Sequence, residues 1–351
     1  MPRRLMPLAA AITLAACSAG EAPDSPPPPS VTVMAFNVQN LFDTVDDPGK
    51  DDKAYLPIEA KQDEAHIAEC NEIAVESWRN ECLYLDWDDA ALEHKLGVIA
   101  ESILQVNDGR GPDIVALQEI ENVAVLERLR QEYLQPGEYL PAILIEGADT
   151  RGIDVAFLTR LPLDGDPALH PLDLPADYVE REGDTRGLIE ATFILPDGAL
   201  LTGYSVHFPA PFHPTEMRVR AYEHLQQVRN AIPPEHNVFA AGDFNTTSSE
   251  DAAEGLLDRY LRPGWVVSND LCEGCSGTHY YARDDRWSFL DMVIFAPAED
   301  PNTAWSVASI HIANAVPAQV TADGTPNRYR SAERTGVSDH WPVVMTLKKR
   351  P

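Results

Sequence analysis

The sequence predicts an α/β chain folded as a four-layer sandwich, with two packed mixed β-sheets flanked by helices. Three observations predict it. Short β-rich runs recur along the 351 residues, amphipathic helical stripes separate some of them, and tight turns join others as hairpins. A hydrophobic content of 44% is enough for a substantial core.

Residues 31–36 (VTVMAF) form the first β-rich run and stop on Asn37, and residues 113–118 (DIVALQ) form the next and stop on Glu119. Between them an insertion over residues 43–89 carries fifteen acids against four bases with weak periodicity, and is expected as an irregular excursion. Leu92, Leu96, Ile99 and Ile103 then mark one helix face. Asn122 can cap a second helix with the stripe Val123, Leu126, Leu129 and Tyr133. Strands are expected at 142–145, 154–158, 188–195 and 200–208, with Pro196-Asp197-Gly198 turning between the last two. Thr215 is expected to cap a helix through Arg229 that buries Met217, Ala221, Leu225 and Val228. Further strands fall at 237–241, 289–295, 307–312 and 342–347.

Ahead of this domain, Arg3 and Arg4 precede a short apolar run and small residues, the pattern of a secretory signal over residues 1–16. Leu14-Ala15-Ala16-Cys17 resembles the bacterial lipobox, which would make Cys17 the lipidated first residue of the mature chain; a plain signal peptide cleaved nearby is the alternative. The apolar run is too short for a permanent membrane span. Ser18 in place of Asp fits outer-membrane retention in a Gram-negative cell. Residues 17–30, rich in proline, read as a semi-rigid tether, so the domain is expected over 31–351.

The other four cysteines suit an oxidising compartment. Cys70 with Cys82 and Cys272 with Cys275 is the simplest pairing, although three are possible, and a zinc site is disfavoured because only one CxxC half is present. Loss of residues 1–16 removes Arg3 and Arg4 and moves the formal charge from -29 to -31. Such a chain repels polyanions at long range, which argues against a passive nucleic-acid binder but not against a metal-dependent hydrolase.

Polar residues recur at strand ends: Asn37, Glu119, Asp154, His207, Asp243 with Asn245, and Asp339 with His340. Taken singly, each is explained as a turn former, cap or solvated end. Together, FNVQNLFD, DIVALQEIEN, RGIDVAFL, SVHFPAP, GDFN, SFLDMVIF and GVSDHWP resemble, in order, the motifs of the endonuclease/exonuclease/phosphatase superfamily, over roughly residues 31–347.

The resemblance implies a deoxyribonuclease I-like fold and a metal-dependent phosphoesterase. Such a reaction needs neutralised phosphoryl charge, an aligned water and a proton for the leaving oxygen. Glu119 would bind the metal with Asp339, and Asn37 would hold the phosphate or the metal's outer shell. Mg²⁺ is the expected ion, with Mn²⁺ or Ca²⁺ as alternatives. Asp243 would activate water, Asn245 would donate to the phosphoryl oxygen, and His340 would contact the phosphate or exchange a proton with Asp291 fixing its ring. Gln39 stands where some members carry a metal-binding Asp. Together with SVHFPAP this looks more like the deoxyribonuclease I branch, in which His207 would act opposite His340 with Asp154 as its orienting carboxylate. Arg151 and Arg186 are candidates for substrate phosphate.

The expected function is therefore a secreted or lipid-tethered phosphodiesterase acting on DNA or RNA, a monomer that meets the membrane only through its N-terminal lipid. A phosphatase or a phospholipid or small-molecule phosphodiesterase on the same site is the alternative, and a non-catalytic binding lipoprotein the third reading. Tyr280, Tyr281 and Trp287 could stack on substrate, touch a membrane or pack the loop of Cys272 and Cys275.

Overall fold

In a computed structural model, residues 28–174 and 185–350 are described. Cys17 and the signal segment lie outside the described residues. Along the chain run β1 (Ser30–Leu41), α1 (Glu64–Asn71), α2 (Glu76–Tyr84), α3 (Asp89–Leu104), β2 (Ile114–Ile120), α4 (Val123–Arg128), β3 (Ile143–Leu144) and β4 (Asp154–Thr159). The second half adds β5 (Ala168–His170), β6 (Leu188–Ile194), β7 (Leu200–His207), α5 (Thr215–Asn230), β8 (Asn237–Asp243), α6 (Ser248–Glu254), α7 (Leu256–Tyr260), β9 (Val266–Val267) and α8 (Ser268–Leu271). It closes with β10 (His279–Tyr281), β11 (Arg286–Ser288), β12 (Asp291–Ala296), β13 (Trp305–Ile312) and β14 (Val343–Lys349).

The strands form two mixed six-stranded sheets, ordered β13-β14-β1-β2-β4-β3 and β5-β6-β7-β8-β12-β9, and a separate β10–β11 hairpin. The central pairs β1–β2 and β7–β8 are parallel. Strand alternation sorts the core into three slabs. Val31, Val33 and Ala35 of β1 meet Phe239 and Ala241 of β8 and Val293 and Phe295 of β12 between the sheets. Met34, Phe36 and Val38 face outward onto the α3 stripe, and Tyr204 and Val206 of β7 face outward onto α5. Helix, sheet, sheet and helix make the four layers.

The acidic insertion is more regular than its composition suggests. It winds into α1 and α2, joined by a Cys70–Cys82 disulfide, and buries Lys61, whose Nζ donates to the carbonyls of Ala54, Glu81 and Leu85. Cys272 and Cys275 form the second disulfide. Asn122 caps α4 as expected, accepting from Val125 N. Thr215 does not cap α5: Pro214 holds that position, and the Thr215 hydroxyl donates instead to Glu250 Oε1 at 2.6 Å. Glu250 also takes the guanidinium of Arg218, a fully buried arginine whose remaining hydrogens go to the carbonyls of Pro209, Ala210 and His213.

That ion pair ties α5 to α6 and to the segment after β7. Arg218→Ala leaves the largely buried Glu250 carboxylate without its counter-charge and three carbonyls without their donor, and should cost about 3–5 kcal/mol. Urea denaturation checks this, and an unshifted midpoint would show that the pair is not needed.

Candidate active site

Strand register assembles the site. In the second sheet His207 pairs with Asp243, and Asp243 pairs with Asp291, so three polar residues end three adjacent strands in one row. They follow the inward parity of Ala241 and Val293, pointing toward the first sheet. Asn37 continues the inward parity of Val33 and Ala35, and its Nδ2 donates to Asp243 Oδ2 at 3.1 Å and to Glu119 Oε1 at 3.2 Å.

Glu119 reaches this point through backbone distortion. The pairing of β2 with β4 shifts register between Gln118 and Ile120, and Glu119 has φ 65°, so the strand bulges and re-aims the carboxylate. Its Oε2 accepts from Asn40 N at 2.8 Å. Asn245 is also left-handed, at φ 50°; its N–H caps Asp243 Oδ1 at 2.8 Å, and Nδ2 donates one hydrogen to Phe208 O at 3.0 Å. Phe244 between them is buried with Phe208 and Tyr222. Gly242 completes the turn at φ 146°: a Cβ there would lie 2.0 Å from Val206 O.

The two histidines are shifted in opposite directions. His340 Nδ1 lies 2.7 Å from Asp291 Oδ2. Burial works against its charged form, but Asp291, with Asp243 and Asp339, outweighs it and holds His340 well above the ordinary histidine range. Burial, with Arg186, His340 and Arg151 nearby, holds His207 well below that range. His207 Nε2 stands 3.6 Å from Asp243 Oδ2 and 3.9 Å from Glu119 Oε1. Burial pushes Asp243 up to about 7 despite the His340 charge. Burial would also raise Asp339, but His340, His279 and Arg328 keep it below the usual carboxylate range.

Several expected roles change. Asp154 and His207 form no hydrogen bond: Asp154 Oδ1 accepts from Gly147 N at 2.9 Å, while its Oδ2 and His207 Nδ1 are buried without partners. Asp154 sits at the register shift between β2 and β4, and its carboxylate is drawn to the Gly147 N–H of its own loop instead. Gln39 clamps the backbone of Tyr329, donating to its carbonyl at 3.3 Å and accepting from its N–H at 2.8 Å. Arg186 is paired with Asp149 at 3.2 Å, whereas Arg151 donates to Asn40 Oδ1 and remains exposed.

The strand-end pattern missed other contributors. Arg328 and Arg330, exposed in the loop before β14, line two cavities of about 890 and 920 Å³, neither of which is lined by Glu119, Asp243 or Asp291. Arg151 joins the first, and His279, Tyr280, Trp287 and Asp339 join the second. Trp287 stacks toward Trp341 with ring centroids 5.2 Å apart, so the hairpin packs beside His340. The spacing Arg-Tyr-Arg at 328–330 was the available signal for the cationic loop. Lys95 carried none: it sits in an amphipathic helix and reads as a surface charge, yet it is fully buried and donates to Val38 O at 2.6 Å and Val337 O at 2.7 Å. Ser338 strengthens the same join, donating to Asn37 O at 2.7 Å and accepting from His340 N at 3.0 Å.

The donor set fits a divalent cation. Asp243 and Asp291 offer oxygens within 4.8 Å of one another, Glu119 and Asp243 are joined through Asn37, and the buried Asp291 Oδ1 has no partner. Hard oxygen donors of this kind suit Mg²⁺, Mn²⁺ or Ca²⁺.

A model of the Endonuclease/Exonuclease/phosphatase family matches residues 88–340. No curated protein matches the sequence. Among solved structures, an endonuclease/exonuclease/phosphatase family protein from Bacteroides thetaiotaomicron is similar at 16% identity and a TM-score of 0.56, over 92% of this chain and 99% of that one. A mannosyl-6-phosphatase from the same organism is similar at 17% identity and 0.53, over 90% and 99%. TDP2 of D. rerio, complexed with single strand DNA product, is similar at 15% identity and 0.50, over 91% and 99%. At these identities the likeness shows a shared fold.

Lys95 joins the carbonyls that flank Asn37 and Asp339, so its loss should loosen both loops. Lys95→Met is expected to lower turnover by about 10- to 100-fold, the scale of an ångström-level misplacement, with the far-ultraviolet circular dichroism unchanged. Wild-type turnover in that variant would show that the ammonium does not position the site.

Proposed function

The chain belongs to the Endonuclease/Exonuclease/phosphatase family, whose members act on phosphate esters, and from that premise we propose that it is a metal-dependent phosphodiesterase of nucleic acid. The supporting observation is the placement of two histidines around the buried carboxylate of Asp243, His340 held by Asp291 and His207 with Nε2 3.6 Å from Asp243 Oδ2. A carboxyl poised near 7 suits a general base, so Asp243 takes a proton from the attacking water. Asn245 spends one amide hydrogen on Phe208 and directs the other at a phosphoryl oxygen. His340, held through Nδ1 by Asp291, presents Nε2–H to the phosphate or the leaving oxygen. Glu119, with Asp339, would hold the metal, which when bound neutralises phosphoryl charge and lowers the pKa of water.

The two open cavities that share Arg328 and Arg330, the second reaching Asp339, favour an extended phosphodiester over a small phosphate in a closed pocket. Exposed Arg151, Arg328 and Arg330 act at short range, where the overall charge of the chain is screened. The structural neighbour complexed with single strand DNA product is in keeping with this reading. The mannosyl-6-phosphatase neighbour and the net charge favour a second reading, a small phosphate ester on the same site.

Hydrolysis of plasmid DNA, RNA, bis-p-nitrophenyl phosphate and a sugar phosphate, with Mg²⁺, Mn²⁺ or Ca²⁺ and after exhaustive chelation, tests both readings. Activity on the nucleic acids is expected to vanish on chelation and to fall by about 10²–10⁴ in Asp243→Ala. Survival of chelation would sink the metal mechanism, and turnover of the sugar phosphate alone would transfer the proposal to the second reading.

We also propose that Cys17 is lipidated and holds the enzyme on the outside of a cell membrane. Cys17→Ser should move the protein from the membrane fraction to the soluble fraction, and unchanged fractionation would refute the anchor.

A further inference from the structure

Away from the strand-end cluster, three carboxylates converge where the acidic insertion meets β2. Asp47 and Asp52 come from the first turn of the insertion and Glu121 from the residue just beyond β2, and each offers an oxygen within 4.8 Å of the others. Asp52 and Glu121 are each only 2% exposed. Among the described residues, none of the three forms an ion pair with a lysine, arginine or histidine. Nearby Lys50 is turned away, donating to Asp149 O, and Lys53 is drawn to Glu69.

Hydrogen bonding satisfies the cluster only in part. Glu121 Oε2 accepts from Asp43 N at 2.5 Å, and Asp52 Oδ2 accepts from Asp47 N at 2.8 Å, but Asp52 Oδ1 is buried with no partner. Burial raises Asp52 to about 6, as does the neighbouring Asp46. Packing two buried carboxylates together without a counter-charge is expensive, and the usual remedies are a proton or a bound cation.

We propose that Asp47, Asp52 and Glu121 form a structural calcium site, separate from the catalytic centre, that fastens the acidic insertion to the end of β2. All the ligands are hard oxygens. Oxygens within 4.8 Å of one another can share one Ca²⁺ at its usual bond lengths, and carboxylates supplied by two separate segments suit its flexible coordination better than the near-ideal octahedron that Mg²⁺ demands. The consequence reaches the catalytic loops. Glu121 lies two residues beyond Glu119, and the same turn of the insertion donates from Asp51 N to Thr150 O at 2.8 Å, next to Arg151. An ion here fixes the wall beside Glu119 and Arg151 without touching substrate.

The full chain carrying Glu119→Gln, which weakens metal binding at the catalytic centre, is stripped with chelator and titrated with CaCl₂ or MgCl₂, with calorimetry for stoichiometry and thermal melting for stability. One Ca²⁺ per chain and a rise in Tm on the order of 5 °C are expected, with a much smaller response to Mg²⁺. Adding Asp52→Asn should abolish that equivalent and its Tm response while leaving the metal-free melting temperature equal or higher, because a buried charge has gone. Should Asp52→Asn fail to fold, Asp47→Asn, at a half-buried ligand, should weaken Ca²⁺ binding at least tenfold. Unchanged Ca²⁺ stoichiometry and Tm response in the folded variant, or equal responses to Mg²⁺ and Ca²⁺ in the parent, would overturn the proposal.

Discussion

The hydrogen bond from Asn37 to Asp243 is the contact on which the site depends, because it joins the inward faces of two sheets that otherwise meet mainly through hydrocarbon, with the buried Gln118–Ser205 hydrogen bond as a second polar tie. An amide and a carboxylate at that depth are tolerable only because each is fully engaged. Asn37 gives its two hydrogens to Glu119 and Asp243, and Asp243 is capped by Asn245 N and flanked by His207. The core between the sheets must therefore hold β1 over β8 closely enough for a 3.1 Å contact at their ends. Apolar packing fixes the spacing, and the polar row at the strand ends uses it.

Beneath this row the charges are arranged in depth. Lys95 lies below the loops of Asn37 and Asp339 and is pushed down to about 7 by burial, with Asp339 and Glu119 acting to raise it. Above it, Asp291 holds the His340 ring through Nδ1 and favours its charged form. The chain as a whole is strongly acidic, yet its exposed arginines at 151, 328 and 330 are collected around the openings of the site. Long-range repulsion and short-range attraction thus act over different distances, with a crossover of about one Debye length, roughly 8 Å in physiological salt.

Much of this was legible in the sequence, and what escaped did so for identifiable reasons. Alternating apolar runs located the central strands, and polar residues at their ends named Asn37, Glu119, His207, Asp243, Asn245, Asp291, Asp339 and His340. Two of these owe their aim to left-handed backbone, at Glu119 and Asn245, which alternation does not reveal. The partner of Asp154 was misjudged because the residue falls at the register shift between β2 and β4, which a period of two does not reveal. The helices of the insertion escaped because α1 and α2 bury little beyond Cys70, His66 and Cys82 and so lack an apolar stripe. Lys95 and Arg218 are spelled like surface residues; only the carbonyls gathered around them show that they are interior.

Gly242 carries a consequence for how variation in this chain is interpreted. A side chain there would press on the carbonyl of Val206 and force apart the strands that bear His207 and Asp243, the two residues that face each other across that pairing. An allele altered at this position would retain every acid, base and ligand and still be scored as a catalytic null. Genetic screens that infer chemistry from loss of function would count Gly242 among the reacting groups, although its contribution is the absence of a side chain.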